Sequence, residues 1–213
     1  MRRAMNGVTV DFEIRPATPE DQTAAVSLIH SAGPAAFDYI FAAPERPATA
    51  FLAFAFSSGR GLFGCRNHFV ATQAGRVVAT LALYGAAEHK PLTRILPLQI
   101  AQFHGVMRAA GILRRSLEVA NLMPPPLESV EYLANFGVAP DLRGQGIGQR
   151  LLEFAAQHAR GRGKFVLALD VATSNPRAQA LYERVGMCVV HERQFRGPAG
   201  RVPDARRMEM TLT

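Results

Sequence analysis

Residues 138–148, VAPDLRGQGIG, decide how the rest of this chain is interpreted. They follow a β-rich run, residues 130–138, and they precede a helical pattern that ends near Gly161. Three glycines within five residues allow a backbone to approach a ligand closely. The first amides of a helix have no intrahelical acceptor, and with the positive end of the helix dipole they bind phosphate or pyrophosphate. We therefore predict a polyphosphate site at this turn, with Arg143 adding positive charge.

Two other phosphate-binding motifs fit this turn less well. A P-loop needs a lysine and a serine or threonine after its last glycine, and neither follows Gly148. The dinucleotide fingerprint GxGxxG matches Gly144 and Gly146, but Gly148 comes one residue early. Asp170, near the end of the next predicted strand, would then correspond to the ribose-binding acid. Too few residues follow for the second half of a doubly wound sheet, so a dinucleotide site is the weaker alternative.

A second motif, NPRAQALYERVGM, covers residues 175–187. Asn175 is a favourable N-cap, and the proline after it suits the first helical position. Tyr182 falls on the apolar face of the predicted helix, and Gly186 ends that helix. A packed tyrosine and an ordinary helix cap are the structural interpretations of these residues, and both also allow a role in a binding site.

Together the two motifs resemble those of the GCN5-related N-acetyltransferase (GNAT) family. RGQGIG resembles the family's Arg/Gln-x-x-Gly-x-Gly/Ala core, and the second motif resembles its Asn-initiated helix with a Leu-Tyr pair and a Gly-Phe pair. Met187 stands in place of the usual phenylalanine. The resemblance implies a single α/β domain over residues 1–213, in which a mixed, mostly antiparallel sheet is flanked by helices. The central strands 130–138 and 165–171 are then expected to splay apart.

The resemblance also implies an enzyme that transfers an acetyl group from acetyl-CoA, its cosubstrate, to a primary amine of a small molecule or protein. The residues expected to bind acetyl-CoA are Phe136, Gly137, Val138, Arg143, Gly144, Gln145, Gly146, Ile147, Gly148 and Asn175. Tyr182 is expected to give a proton to the departing thiolate. Glu131 is our candidate for the general base, and Glu128 and Asp170 are its rivals.

Hydrophobic periodicity predicts the remaining elements. The spacing indicates helices that open at residues 19–21 and over parts of residues 33–61. The expected strands, apart from the two central ones, are residues 12–17, 68–73, 77–84, 187–195 and 207–212. Residues 85–127 carry apolar side chains at helical spacing, and we predict a helical insertion near the acceptor side.

Alternation along residues 130–138 predicts which side chains share a face of that strand. The face opposite Glu131 is expected to hold Val130, Tyr132, Ala134, Phe136 and Val138. Gly137 inside the strand suggests a bulge or a close approach of another backbone. Cys188 lies in an apolar run, and we expect a buried, unreactive thiol there.

Composition narrows the function classes. The chain has 213 residues and a net charge of +7, which suits an anionic partner. Its basic residues are scattered, and no nucleic-acid-binding motif is present, so no nucleic-acid partner is expected. The six histidines show no metal-binding spacing. A CoA-binding or nucleotide-binding protein without catalytic activity is the competing interpretation.

Hydropathy and cysteine usage bear on location. The most apolar stretch, residues 48–56, is much shorter than the roughly 20 residues that cross a bilayer. The first ten residues have no apolar core of a signal peptide, and the chain has two cysteines without a CxxC motif. We therefore expect a cytoplasmic protein without a membrane partner, and the resemblance admits a homodimer.

Overall fold

The computed structural model describes residues 12–213, so the segment whose composition argued against a signal peptide lies outside the described residues. Within the described range the strands are β1 Glu13–Pro16, β2 His68–Gln73, β3 Arg76–Tyr84, β4 Val130–Val138, β5 Val166–Ala172, β6 Cys188–Arg193 and β7 Ala205–Thr211. The helices are α1 Gln22–Ala32, α2 Pro34–Phe41, α3 Ala48–Ser57, α4 Ala86–Arg94, α5 Leu96–His104, α6 Val106–Ala120, α7 Ile147–Gly161 and α8 Pro176–Arg184. No helix among them is long and apolar enough to cross a membrane.

The strands form one mixed sheet in the order β1-β2-β3-β4-β5-β7-β6. All neighbouring pairs are antiparallel except β4 and β5, which are parallel. The β2–β3 hairpin turns at Ala74 and Gly75, whose φ angles of 48° and 76° belong to the tight turn that strand twist favours. The predicted mostly antiparallel sheet flanked by helices is confirmed.

The parallel pair stays together for only a short distance. Val130, Glu131 and Tyr132 are paired with residues 166–168, and beyond these positions β4 pairs with β3 while β5 pairs with β7. The two central strands therefore diverge toward their carboxyl ends, as the predicted splay requires. The gap between them opens beside the glycine-rich turn that leads into α7.

Helices cover both faces of the sheet. On one face, α7 and α8 bury Leu151, Leu152 and Tyr182 against side chains of β3, β5 and β7. On the other face, α1 and α3 bury Ile29 and Phe56. Helices α2, α5 and α6 then pack on α3 through a separate apolar cluster. Burial of large apolar side chains on both faces of the sheet stabilises it, at roughly 25 cal/mol per Å² removed from water.

The segment between β3 and β4 is helical, as its periodicity predicted. It consists of α4, α5 and α6, and Pro97 lies in the first turn of α5, where its missing N–H leaves no bond unmade. Leu92 of α4 packs near Tyr84 and Tyr132 of the sheet. Helix α4 therefore borders the sheet face opposite α7.

A bulge in β4 overturns the predicted alternation of its side chains. Asn135 and Phe136 of β4 together lie opposite Leu81 of β3, because the register shifts there. Asn135 has a φ of 53°, in the left-handed region. The extra residue reverses the side on which the following side chains point.

The predicted single face is therefore wrong for the second half of β4. Tyr132 and Ala134 pack with Tyr84 on the face that α4 borders. Phe136 and Val138 pack instead on the face covered by α7 and α8. The sequence shows the periodicity of the strand, but one left-handed residue changes the face.

The structure confirms that another backbone approaches β4 closely at Gly137. A Cβ at this position would lie 2.3 Å from the carbonyl oxygen of Leu28 in α1. Helix α1 thus packs directly on the β4 backbone beside the gap between the central strands.

The expectation of a buried Cys188 is wrong. The thiol is exposed because β6 is the edge strand of the sheet and, among the described strands, pairs with β7 alone. Apolar residues in this run, including Val189 and Val190, are exposed as well. An apolar run does not reveal whether a strand lies at an edge or at the centre of a sheet.

Substitution of Gly137 by alanine tests the packing of α1 on β4. We expect the free energy of unfolding to fall by about 1–3 kcal/mol, because the added methyl group overpacks against backbone. Urea denaturation measures the change. Gly111→Ala is the matched control: a Cβ there meets nothing within 4 Å, and alanine is the better helix former. Equal effects of the two substitutions would contradict the close approach.

Candidate active site

A cleft of about 600 Å³ occupies the gap between β4 and β5. It is bordered by the end of β4, the glycine-rich turn, α8 and the last residues of α1. The predicted site residues that line it are Phe136, Gly137, Val138, Arg143, Gly144, Gly146, Gly148, Asn175 and Tyr182. Residues from two motifs more than twenty-five positions apart in sequence therefore meet at one cavity.

Two glycines of the turn have backbone conformations that other residues rarely adopt. Gly144 and Gly146 have φ angles of 82° and 84°. Gly146 is the N-cap of α7, so the first amides of this 15-residue helix open toward the turn. Gly148 has a different reason, since a Cβ there would lie 3.0 Å from Leu181 of α8. The turn thus combines backbone donors with a close contact between two helices.

Two predicted members of the turn do not line the cleft. Ile147 is buried in the core beneath the turn. Gln145 is exposed, and its amide donates to the carbonyl of Asp141 at 3.3 Å. Any contribution of Gln145 to a ligand site therefore comes from its backbone, whereas Ile147 anchors the start of α7.

Positive charge surrounds the cleft. Arg143, Arg177 and Arg184 are among its lining residues. The Arg143 Nε donates to the Val138 carbonyl at 3.0 Å, which places this guanidinium at the end of β4. Permanent cations beside free helix amides match a polyphosphate.

Asn175 performs the structural role that the sequence predicted. Its side-chain oxygen accepts a hydrogen bond from the Ala178 amide at 3.1 Å and caps α8. The residue is exposed at the cleft, so its amide nitrogen is also available to a ligand.

Tyr182 extends from α8 toward the gap between the strands. It is 7% exposed, and its ring centroid lies 6.2 Å from that of Phe136. Burial raises the pKa of the Tyr182 phenol above its usual value. The hydroxyl is therefore protonated at neutral pH and can act as a donor.

Asp170 also lines the cleft, and it points to the opposite face of the sheet from Tyr182. Its carboxylate forms a two-point ion pair with Arg207, with both N–O distances 2.9 Å. The Tyr132 hydroxyl donates to the same carboxylate at 2.8 Å. Arg207 also donates to the Pro124 carbonyl at 3.1 Å, which connects this network to the loop after α6. Among the rivals that the sequence left open for a base, Asp170 is at the cleft.

The structure does not bring Glu131 to the cleft. This side chain is fully buried at the paired end of β4, and Arg162 at the end of α7 lies 3.5 Å from its carboxylate. Neither carboxylate oxygen has a hydrogen-bond partner within residues 12–213. Burial raises the pKa of Glu131, and the charge of Arg162 opposes that shift. The other rival, Glu128, is exposed before β4 and does not line the cleft either.

Sequence reasoning missed several residues of the cleft. Arg177 and Arg184 lie in the second motif, and their basic character beside Asn175 was an available signal. Ser31 and Ala32 of α1 gave no signal, because their place at the cleft depends on how α1 packs across Gly137.

The β4 bulge beside the cleft is connected to a buried histidine of β2. His68 is 1% exposed, and its Nδ1 lies 2.9 Å from the Gly64 carbonyl. Its Nε2 lies 3.0 Å from the side-chain nitrogen of Asn135. Burial lowers the pKa of His68 to about 4, so the imidazole is neutral at physiological pH.

Comparison with known proteins identifies the family of this chain. Residues 36–187 match the family described as the Acetyltransferase (GNAT) family, which is more than half of the chain. The chain therefore belongs to the GNAT acetyltransferase family.

Individual relatives match over shorter stretches. Over 93 residues the chain is 37% identical to the ribosomal protein bS18-alanine N-acetyltransferase of Escherichia coli (strain K12), covering 44% of this chain and 55% of that protein. It is 32% identical over 57 residues to N-alpha-acetyltransferase 30 of Schizosaccharomyces pombe, covering 27% of this chain and 38% of that protein. The chain thus spans about half the length of the first relative and just over a third of the second.

Solved structures share the fold over nearly the whole chain. A crystal structure of an acetyltransferase has a TM-score of 0.68 at 24% identity and covers 94% of this chain and 100% of that chain. An N-acetyltransferase from Staphylococcus aureus Mu50 has a TM-score of 0.65 at 13% identity, with coverages of 93% and 100%. At these identities the likeness concerns the fold alone.

The low pKa of His68 predicts a pH dependence of stability. Between pH 6.5 and pH 4 the unfolded chain protonates this imidazole while the folded protein keeps it neutral. Stability contributed by the neutral ring is therefore lost as pH falls through this window, by about 3 kcal/mol. Urea denaturation of the wild type and His68→Gln across this range measures it. The wild type should lose more stability than the variant on acidification, and parallel pH curves would contradict the burial of a neutral His68.

Proposed function

We propose that this protein transfers an acetyl group from acetyl-CoA to a primary amine. The observation that carries the proposal is the parting of β4 from β5 directly beside the N-terminus of α7. The gap exposes the edge of β4 next to a glycine-rich set of backbone donors. A narrow extended arm with a polyphosphate at one end suits that combination.

The residues of the cleft fit acetyl-CoA in three places. The amides from Gly144 to Gly148, with Arg143 and Arg177, would hold the pyrophosphate and phosphate charges. The backbone of residues 136–138 would pair with the pantetheine arm as an added strand does, since β5 has left that edge of β4. Asn175 would donate its free amide N–H to the arm.

Acetyl-CoA supplies an acetyl thioester, and transfer exchanges its C–S bond for a C–N bond while one proton leaves the amine and one reaches the sulfur. In this proposal two side chains, on opposite faces of the sheet, take part in these two proton transfers. Tyr182 lies on the face covered by α7 and α8. Asp170 lies on the other face, beside Tyr132.

Tyr182 is the proposed proton donor to sulfur. Burial keeps its phenol protonated, so it can hydrogen-bond to developing negative charge. A backbone N–H of the bulged part of β4 would stabilise the carbonyl oxygen during transfer, because fixed donors in a water-poor site need no rearrangement.

Asp170 is the group that geometry favours for receiving the amine, in place of Glu131. Asp170 is one of the residues that line the cleft, whereas Glu131 lies at the other end of β4 and does not line it. The two-point pair with Arg207 fixes the position of the Asp170 carboxylate, and its oxygens can attract an ammonium group or orient a water that takes the proton.

The acceptor amine must lose a proton before it attacks the thioester, and this requirement favours an α-amine over a lysine side chain. An α-amine has a pKa near 8, while a lysine side chain has one near 10.4. At neutral pH the neutral fraction of the α-amine is therefore roughly 200 times that of the lysine side chain. Both named relatives are consistent with this class. The first is named for N-acetylation of an alanine, whose amine is the α-amine, and the second is named an N-alpha-acetyltransferase.

A thiol-release assay with two matched peptides tests this function. One peptide has a free N-terminal alanine and no lysine, and the other has a blocked N-terminus and one lysine. Acetyl-CoA-dependent thiol release with the first peptide, confirmed by mass spectrometry of the acetylated product, supports the proposal. Preference for the second peptide would move the acceptor class to side-chain amines. Binding of acetyl-CoA without thiol release for either peptide or for small amines would favour a non-catalytic CoA-binding protein.

Substitution of Tyr182 by phenylalanine should lower kcat about 10²-fold or more, since the ring packing is kept and only the proton donor is lost. The KM for acetyl-CoA should change little. Tyr39→Phe is the matched control, because its hydroxyl bonds to Glu118 away from the cleft. Unchanged turnover of the Tyr182 variant across pH would remove the donor role.

The paired variants Asp170→Asn and Glu131→Gln distinguish the two carboxylates. We expect Asp170→Asn to lower kcat/KM for the amine about 10²-fold, while Glu131→Gln stays within a few fold. Assays well below each variant's melting temperature separate activity from the cost of breaking the Asp170–Arg207 pair. A large loss for Glu131→Gln alone would reinstate Glu131 as the base.

A further inference from the structure

The bulge in β4 beside the cleft contains a residue with an unusual backbone conformation. Asn135 has a φ of 53°, a backbone conformation that residues other than glycine adopt rarely. The two residues after it, Phe136 and Gly137, line the cleft, and the register with β3 shifts at this point. Whatever holds Asn135 in place therefore sets the position of the strand edge beside the cleft.

His68 contacts Asn135 from a residue 67 positions earlier in the chain. The His68 Nδ1 lies 2.9 Å from the Gly64 carbonyl, which can only accept, so Nδ1 carries the proton. The Nε2 of the neutral ring is then an acceptor, and it faces the Asn135 side-chain N–H at 3.0 Å. The ring is buried against Phe56, with centroids 5.7 Å apart, so its orientation is fixed.

We propose that His68 is a positioning residue for acetyl-CoA, acting through Asn135 on the bulge of β4; this inference rests on the proposed function. The chain of bonds runs from Gly64 through the imidazole to Asn135. It ties the left-handed residue to β2 and so fixes the backbone of residues 136–138 at the cleft. A shift of about 1 Å in such a backbone can lower a rate about 10²-fold.

The chemistry of the histidine ring suggests a matched pair of substitutions. A glutamine side chain places its terminal atoms where Nε2 lies, so His68→Gln keeps an acceptor for Asn135. An asparagine side chain ends where Nδ1 lies, so His68→Asn keeps a donor to Gly64 and loses the bond to Asn135. Both variants lose the same ring packing against Phe56.

The experiment compares kcat, KM for acetyl-CoA, the calorimetric Kd of CoA and the melting temperature. We expect His68→Asn to lose about 10²-fold in kcat/KM for acetyl-CoA and His68→Gln only a few fold, although both melt at similar, lower temperatures. Asn135→Gly adopts the same φ without strain, so it should fold and show a loss like that of His68→Asn. The double variant should lose no more than either single variant, since both break one bond.

His104→Asn is the control for removal of a buried ring. His104 is buried against Phe51, and neither of its ring nitrogens has a hydrogen-bond partner in the described part of the chain. It should lower the melting temperature and leave KM for acetyl-CoA unchanged. Equal kinetic losses in His68→Gln and His68→Asn, or wild-type kinetics in Asn135→Gly, would overturn the positioning role. A wild type that neither binds CoA nor turns over would instead refute the proposed function.

Discussion

The cleft exists because β4 and β5 part after three paired residues. Parallel strands normally share hydrogen bonds along their length, so separating them leaves backbone groups without a strand partner. Three features surround the gap: the bulge at Asn135, the close packing of α1 on Gly137, and the turn into α7. Unpaired backbone at the centre of a sheet is costly when buried, and a bound extended ligand relieves that cost.

The sheet also separates two kinds of chemistry. On the face of α7 and α8 the cleft offers helix amides and arginines, which suit a polyphosphate. On the opposite face, Asp170, Tyr132 and Arg207 form a buried hydrogen-bonded network beside α4 and the loop after α6. In the proposed function the two substrates would approach from opposite sides of the sheet and meet where the strands have parted. The net charge of +7 is consistent with an anionic cosubstrate but would not by itself have chosen one.

Local signals predicted much of this arrangement. The turn at residues 144–148 was predictable because positive φ angles and a close helix contact each require glycine. The cap at Asn175 was predictable because capping is a local interaction. Gly137 suggested a bulge or a close approach, but the position of the bulge was not predictable, since its left-handed residue is Asn135, which contacts His68 across 67 residues. The wrong face assignment for Phe136 has that origin. Glu131 lies before the bulge, in the paired part of β4, so its distance from the cleft has a different cause. Strand alternation alone carries no information about where a strand leaves its partner.

The central claim is that the gap between β4 and β5 is a site for acetyl-CoA. Thermal melting of the purified protein with acetyl-CoA, with NAD and with ATP tests it most directly. A ligand at 100 times its Kd adds about 2.7 kcal/mol of stability, which for a chain of this size raises Tm by several degrees. The account predicts such a rise with acetyl-CoA and none with the two nucleotides. A rise with NAD and none with acetyl-CoA would contradict it and restore the dinucleotide interpretation of the glycine-rich turn.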